Sequence, residues 1–182
     1  MMNTKRKYNI VWILSLFCAF TSLHAQMTLV KDGKPQSRIV VADKNDVNMQ
    51  AADLLQDFVK RITSTQLPIV VSDKEKKGDV VIGKGSVEGL TEDGFRLSSA
   101  DGSLFVSSGG DKGCIYGIVT LLEDYFGVNY YTSHTCTYEK KSTLVLPGIN
   151  RAENPAFRYR QTQSYAIAED PIYKMWFRLE EP

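Results

Sequence analysis

The stretch GGDKGCIYGIVTLLEDYF, residues 109–126, poses the choice that decides the fold: a glycine-rich phosphate cradle, or a turn that launches a helix onto a sheet. A P-loop needs its Lys and its Ser or Thr directly after the last loop glycine, where they reach phosphate and Mg²⁺. Here Gly113 is followed by Cys114 and Ile115, and Lys112 stands before that glycine. The dinucleotide fingerprint is absent too, because the glycines fall at 109, 110, 113 and 117. The residues beyond read as an amphipathic helix with Ile115, Ile118, Val119, Leu122, Tyr125 and Phe126 on one side. Asp111 caps its start, and Gly127 supplies a left-handed residue past its end. Gly113 and Gly117, four apart, let the helix lie close on a sheet.

Working outward, SRIVVA (37–42) is β-branched and reads as a strand. NDVNMQAADLLQDFVKRITS (45–64) follows with Ala51, Leu54, Leu55, Phe58, Val59 and Ile62 at helical spacing. Asn45 or Asp46 caps that helix, and Lys60 and Arg61 sit at the negative end of its dipole. IVV (69–71) is a second strand, and GDVVIGKG (78–85) holds a wholly apolar one, expected to be central and covered on both faces. FRLSSA and GSLFVSSGG alternate on either side of Asp101-Gly102 and form a hairpin. VNYYT and STLVLPG are further short strands. Two amphipathic helices among these strands predict an α+β fold, a mixed sheet with both helices packed on one face.

The N-terminus reads as a secretory leader. Lys5, Arg6 and Lys7 precede the apolar run IVWILSLFCAF, and TSLHA follows it with a small residue, Ala25, at the expected cleavage site. The run is short for a permanent membrane anchor, and bulky Phe17 before Cys18 argues against a lipoprotein. The formal net charge is +1, and loss of residues 1–25 would leave 19 basic against 21 acidic residues, a balance that excludes a nucleic-acid partner. Cys114 and Cys136 remain, either as a disulfide or as two buried thiols. Cys114, in the first turn of its helix, is expected to ionise somewhat more easily than a free thiol.

No catalytic set emerges. The acidic pairs Glu92-Asp93, Glu123-Asp124, Glu169-Asp170 and Glu180-Glu181 read as solvated surface charge. His134 is the one histidine beyond residue 25, and with Cys136 it offers two metal-capable groups where a structural zinc needs four. Neither metal nor cofactor is expected. Tyr130, Tyr131, Tyr138, Phe157, Tyr159, Tyr165 and Trp176 could stack on sugar rings, although such residues more often build a core.

The order of elements resembles the non-catalytic N-terminal domain of bacterial β-N-acetylhexosaminidases and α-glucuronidases. That family carries a strand of the form E-G-Y/F-x-L, then I-x-I-x-G-x-x-x-x-G-x-x-Y-G-x-x-T-L. The chain shows Asp93-Gly94-Phe95-Arg96-Leu97, Leu104 to Gly109, Gly113, Tyr116-Gly117 and Thr120-Leu121. The resemblance spans residues 37 to 160 and implies a β-hexosaminidase domain 2-like sandwich. Pro155, Phe157 and Arg160 match P-x-F-x-x-R, which opens the first barrel strand of the hexosaminidases, and the match implies that Arg160 binds sugar hydroxyls. Past Arg160 the chain reads QTQSYAIAED where that family has a Gly and then an Asp, and the α-glucuronidase-like relatives fit better there.

The organisation expected is therefore a leader (1–25), an accessory domain (26–146), a connector with the start of a first barrel strand (147–160), and the opening of a catalytic-type domain (161–182). In that last piece Ile172, Met175, Trp176 and Leu179 share a helical face that no other residue of the chain was available to cover. The function expected is a secreted or periplasmic accessory domain without catalysis of its own, partnered by a downstream barrel, with carbohydrate as a candidate ligand. A free-standing carbohydrate-binding module is the alternative.

Overall fold

The computed structural model describes residues 26–110, 112–132, 134–157, 159–162, 164 and 170–179, so the leader and Asp111 lie outside the described residues. The chain enters as β1 (Met27–Lys31) and turns back through β2 (Lys34–Pro35). β3 (Ile39–Val41) then leads into helix α1 (Asp46–Thr63). Asn45 caps α1, its side-chain oxygen accepting the Asn48 N–H at 2.8 Å, and Ser64 ends it in a left-handed conformation. β4 (Ile69–Val71) and β5 (Val80–Ile82) follow. β6 (Phe95–Ala100) and β7 (Ser103–Ser108) form the expected hairpin. Asp101 and Gly102 both have positive φ, the type I′ geometry whose twist suits two antiparallel strands.

Helix α2 (Gly113–Asp124) comes next, then the two-stranded pair β8 (Asn129–Thr132) and β9 (Thr135–Thr137). β10 (Leu144–Leu146), β11 (Asn150–Glu153) and the short helix α3 (Pro171–Trp176) complete the described elements. The main sheet has the order β11-β6-β7-β5-β3-β4, parallel from β7 to β4 and antiparallel at β6 and β11. A second sheet, β10-β1-β2, flanks it.

Both long helices pack on one face of the main sheet. Ile39, Val41, Val80, Ile82, Phe95, Leu97, Leu104 and Val106 share one buried cluster with the apolar sides of α1 and α2. The alternate residues Val40 and Val81 are buried as well, so the central strands are covered on both faces, as a continuous apolar run requires. Each large aliphatic side chain buried in this way contributes about 1.5–3 kcal/mol.

Three features differ from the sequence expectations. The connector is not all connector, because Asn150–Glu153 adds the edge strand β11 beside β6. The apolar tail is not uncovered: Trp176 is 1% exposed, its ring centroid 5.2 Å from that of Phe58 and 5.4 Å from that of Tyr130. Helix α2 is not one-sided, since every residue from Gly113 to Leu122 is buried. A helix buried all round must have partners on more than one side, and besides the sheet these are α1 and the tail.

Gly113 and Gly127 should fail differently when substituted. A Cβ at Gly113 would fall onto the Gly94 carbonyl oxygen and Ser108 Oγ, whereas one at Gly127, at φ +69°, would meet nothing within 4 Å. Gly113→Ala is expected to cost about 3 kcal/mol through forced backbone movement, and Gly127→Ala about 1 kcal/mol through left-handed strain alone. Urea unfolding of the two variants reads the difference; equal costs would mean that close approach is not what Gly113 supplies.

Candidate functional site

The glycine cluster and the turn before β6 fit together backbone to backbone. A Cβ at Gly109 would collide with the Thr91 carbonyl, at Gly110 with the Glu92 carbonyl, and at Gly113 with the Gly94 carbonyl. The Gly109 N–H donates to the Gly94 carbonyl at 3.0 Å. Residues 91–94 stand where side chains on these glycines would be, so the glycines admit the protein's own backbone. At the helix start the N-cap residue is Lys112, which makes no side-chain capping bond. Gly117 has a different neighbour: a Cβ there would press on Val106 Cγ1 at 3.1 Å and Phe95 Cδ2 at 3.3 Å.

The 91–94 turn is fixed in its turn by Asn154, just after β11. Its Oδ1 accepts the Thr91 N–H at 2.8 Å, and its Nδ2 donates to the Gly89 carbonyl at 2.9 Å. Where the chain leaves this anchor, Thr91, Glu92, Asp93, Pro155 and Ala156 line a groove of about 350 Å³.

Arg160 stands beside that groove but is not presented to it as an open cation. Its Nη2 donates to Asp93 Oδ2 at 3.1 Å and its Nε to the Arg178 carbonyl at 2.7 Å; Nη1 donates to the Phe157 carbonyl. Its guanidinium carbon lies 5.4 Å from the centroid of the Tyr116 ring. Arg160 and Asp93 are both mostly buried. The residue matched to a sugar-binding arginine is thus engaged in tying the 155–160 segment to the 91–94 turn and to α2.

Tyr116 belongs to a stripe. With Thr120 and Glu123 it occupies positions i, i+4 and i+7, a stripe of α2 that runs beside the one carrying Gly113 and Gly117. Thr120 Oγ1 accepts from Arg178 Nη2 at 2.9 Å. Glu123 accepts the Trp176 indole N–H at 2.6 Å and lies 3.6 Å from the Arg178 guanidinium. Helix α2 therefore approaches the sheet closely through Gly113 and Gly117, and meets Arg160, Arg178 and Trp176 through Tyr116, Thr120 and Glu123.

The other sequence candidates do not converge. Asp124 pairs with Arg151 at 2.5 Å, away from Glu123, and Asp170 accepts the Tyr130 hydroxyl at 2.7 Å while capping α3. Asp93 and Glu123, expected as solvated charge, are used in packing. Glu169, Glu180, Glu181 and Tyr165 lie outside the described residues. Burial, and after it the Asp170 carboxylate, push the Tyr130 phenol well above its ordinary range, which keeps it a hydrogen-bond donor. His134 sits exposed at the turn between β8 and β9. Cys114 and Cys136 are both unpaired. Burial pushes the Cys114 thiol up to about 11, opposite to the helix-start expectation, because desolvation outweighs the hydrogen bond from the Gly83 backbone. Among the described residues no group of three or more His, Cys, Asp and Glu could hold a metal ion, and no helix is long and apolar enough to cross a membrane. The expected aromatic set divides: Tyr130 and Trp176 are core, while Phe157 and Tyr159 are 74% and 64% exposed.

Residues 21–123 match the family model described as glycosyl hydrolase family 20, domain 2. The chain belongs to this domain 2 family. No curated protein matches it. Among solved structures, the β-N-acetylhexosaminidase of Streptomyces coelicolor A3(2) is 15% identical, with a TM-score of 0.53 over 74% of this chain and 25% of that one. A mutant β-hexosaminidase of Streptomyces plicatus, in complex with GlcNAc, is 16% identical, with a TM-score of 0.52 over 75% of this chain and 24% of that one. At these identities the likeness establishes the fold. The chain spans about a quarter of the length of these structures. The domain 2 fold accounts for the two helices on one face of a mixed sheet.

Sequence reading found Arg160, Tyr116 and the glycines through their motif, but missed Asp93 and Glu123 as partners and Asn154 as a clamp. The one signal for Asp93 was its place at the head of the E-G-Y/F-x-L match. Removing that carboxylate should expose the role of the pair: Asp93→Ala is expected to cost about 2 kcal/mol and to speed chymotryptic cleavage at Phe157 and Tyr159. Unchanged stability and unchanged cleavage would show that Asp93 does not hold Arg160.

Proposed function

We propose that the chain is the non-catalytic accessory domain of a secreted glycoside-hydrolase-like protein in polysaccharide breakdown, and that it braces a catalytic-type barrel. The leader of residues 1–25, cleaved near Ala25, directs export. The accessory unit runs from residue 26 to the end of β11 at Glu153, and the barrel begins beyond it. The observation that carries this reading is the stripe of Tyr116, Thr120 and Glu123 on α2. Tyr116, Thr120 and Glu123 are spent on Arg160, Arg178 and Trp176, residues that follow the sheet in the chain. Such a domain is built to grip what comes after it. In this reading Arg160 is a junction residue that sets where the first barrel strand starts, and domain 2 membership supplies the glycoside-hydrolase context.

A second reading, a free-standing carbohydrate-binding module, draws on Phe157 and Tyr159. They are exposed and two positions apart, so they could present two rings to a sugar.

The size of the native product separates the two. An immunoblot of the source cells and their medium with an antibody against residues 37–146 is expected to show a band several times larger than a 182-residue chain. A band of the size of this chain, together with polysaccharide binding that Phe157→Ala and Tyr159→Ala abolish, would overturn the accessory reading in favour of the module.

A further inference from the structure

We infer that Phe58, Tyr130 and Glu123 form a recognition socket for one side chain, the indole of Trp176, and that this anchor fixes residues 170–179 on the domain. The socket is assembled from three elements: α1 supplies Phe58, α2 supplies Glu123 and β8 supplies Tyr130. Tyr130 stacks on the indole with planes 26° apart, and Phe58 meets it tilted at 52°. Arg61 lies 5.0 Å from the centroid of the Phe58 ring, so Phe58 also carries a cation.

The chemistry selects an indole over other apolar side chains. Indole offers one N–H donor and no acceptor, and here the donor ends on the carboxylate of Glu123 at 2.6 Å. A Phe or Leu in the same place offers no donor, so the bond to Glu123 would be lost. Arg178, 3.6 Å from the second oxygen of Glu123, balances the charge. The plug is also tied to the socket wall, because the Tyr130 hydroxyl donates to Asp170, and Asp170 accepts the Ile172 and Tyr173 N–H groups at the start of α3.

The anchor is needed because α3 cannot hold itself. It has six residues, well below the roughly 12–15 at which an isolated helix becomes marginally stable in water. Phe157, Tyr159, Gln161, Thr162 and Ser164 before it are exposed, and Arg160 reaches the Arg178 carbonyl beyond its end. Trp176 is its one fully buried residue. The use of this anchor to hold a following domain rests on the accessory reading; the socket itself does not.

The test uses the 182-residue chain with Trp12→Phe, which leaves Trp176 as the sole indole of the two tryptophans. The expected result is a native emission shifted to the blue of the urea-unfolded chain, with acrylamide quenching several-fold weaker. Glu123→Leu removes the acceptor and should shift the docked population by roughly tenfold, the scale of one charge-assisted hydrogen bond, with far-UV circular dichroism unchanged. Glu123→Gln keeps an accepting oxygen and should quench like the parent. Native quenching equal to that of the unfolded chain would overturn the socket, as would Glu123→Leu behaving like Glu123→Gln. Should Glu123→Leu fail to fold, Trp176→Phe serves instead: faster amide exchange over residues 170–179 supports recognition of the indole, and unchanged exchange sinks it. Because the signal comes from the chain itself, an exposed Trp176 would defeat the socket without touching the accessory reading, which depends on the size of the native product.

Discussion

The carbonyl groups of Thr91, Glu92 and Gly94 rest where side chains at Gly109, Gly110 and Gly113 would have to be, and the rest of the structure follows from that contact. A backbone can approach another so closely only where Cβ atoms are missing. The contact seats the start of α2 against the turn that feeds β6, and Gly117 continues the close approach along β6 and β7. With this side of α2 set near the sheet, the stripe that flanks the glycines is held at a fixed angle to it. Tyr116, Thr120 and Glu123 then stand in line to receive Arg160, Arg178 and Trp176.

Burial on both sides has chemical consequences. Polar groups on a helix packed in this way need protein partners wherever they are buried. Thr120 and Glu123 find partners in the tail, and Asp93 finds one in Arg160. Cys114 faces the sheet, its thiol set toward the Val106 carbonyl, and burial makes it a poor nucleophile. The residues that look reactive in the sequence are used for cohesion. The rings of Phe157 and Tyr159, by contrast, stay exposed.

How much of this could be read in advance depended on the range of each interaction. Helix α1 was legible because its apolar spacing and its Asn45 cap are local, and the β6–β7 hairpin because Asp101-Gly102 forces its turn. The central placement of β5 followed from three apolar residues between glycines. The hairpin of β1 and β2 also carried a local signal, Asp32-Gly33 with positive φ at both, but its strands are too short and lysine-rich to stand out. β11 was hidden for another reason: Asn150-Arg151-Ala152-Glu153 has no β-branched residue, and it is a strand because β6 offers an open edge. The second side of α2 was invisible locally, since its partners lie 44 to 58 residues further on. Arg160 could be found by its motif, but nothing in the motif says that Asp93 holds it.

Hydrogen exchange along α2 tests the two-sided seating most directly. If the helix is held by glycine contacts on one side and by the tail on the other, the amides of Ile118 to Leu122 open only when the whole domain unfolds. Their exchange should then be the slowest in the chain and should follow global stability as urea is added. Exchange of these amides through a local opening, at a lower free energy than the β6–β7 hairpin, would contradict that seating.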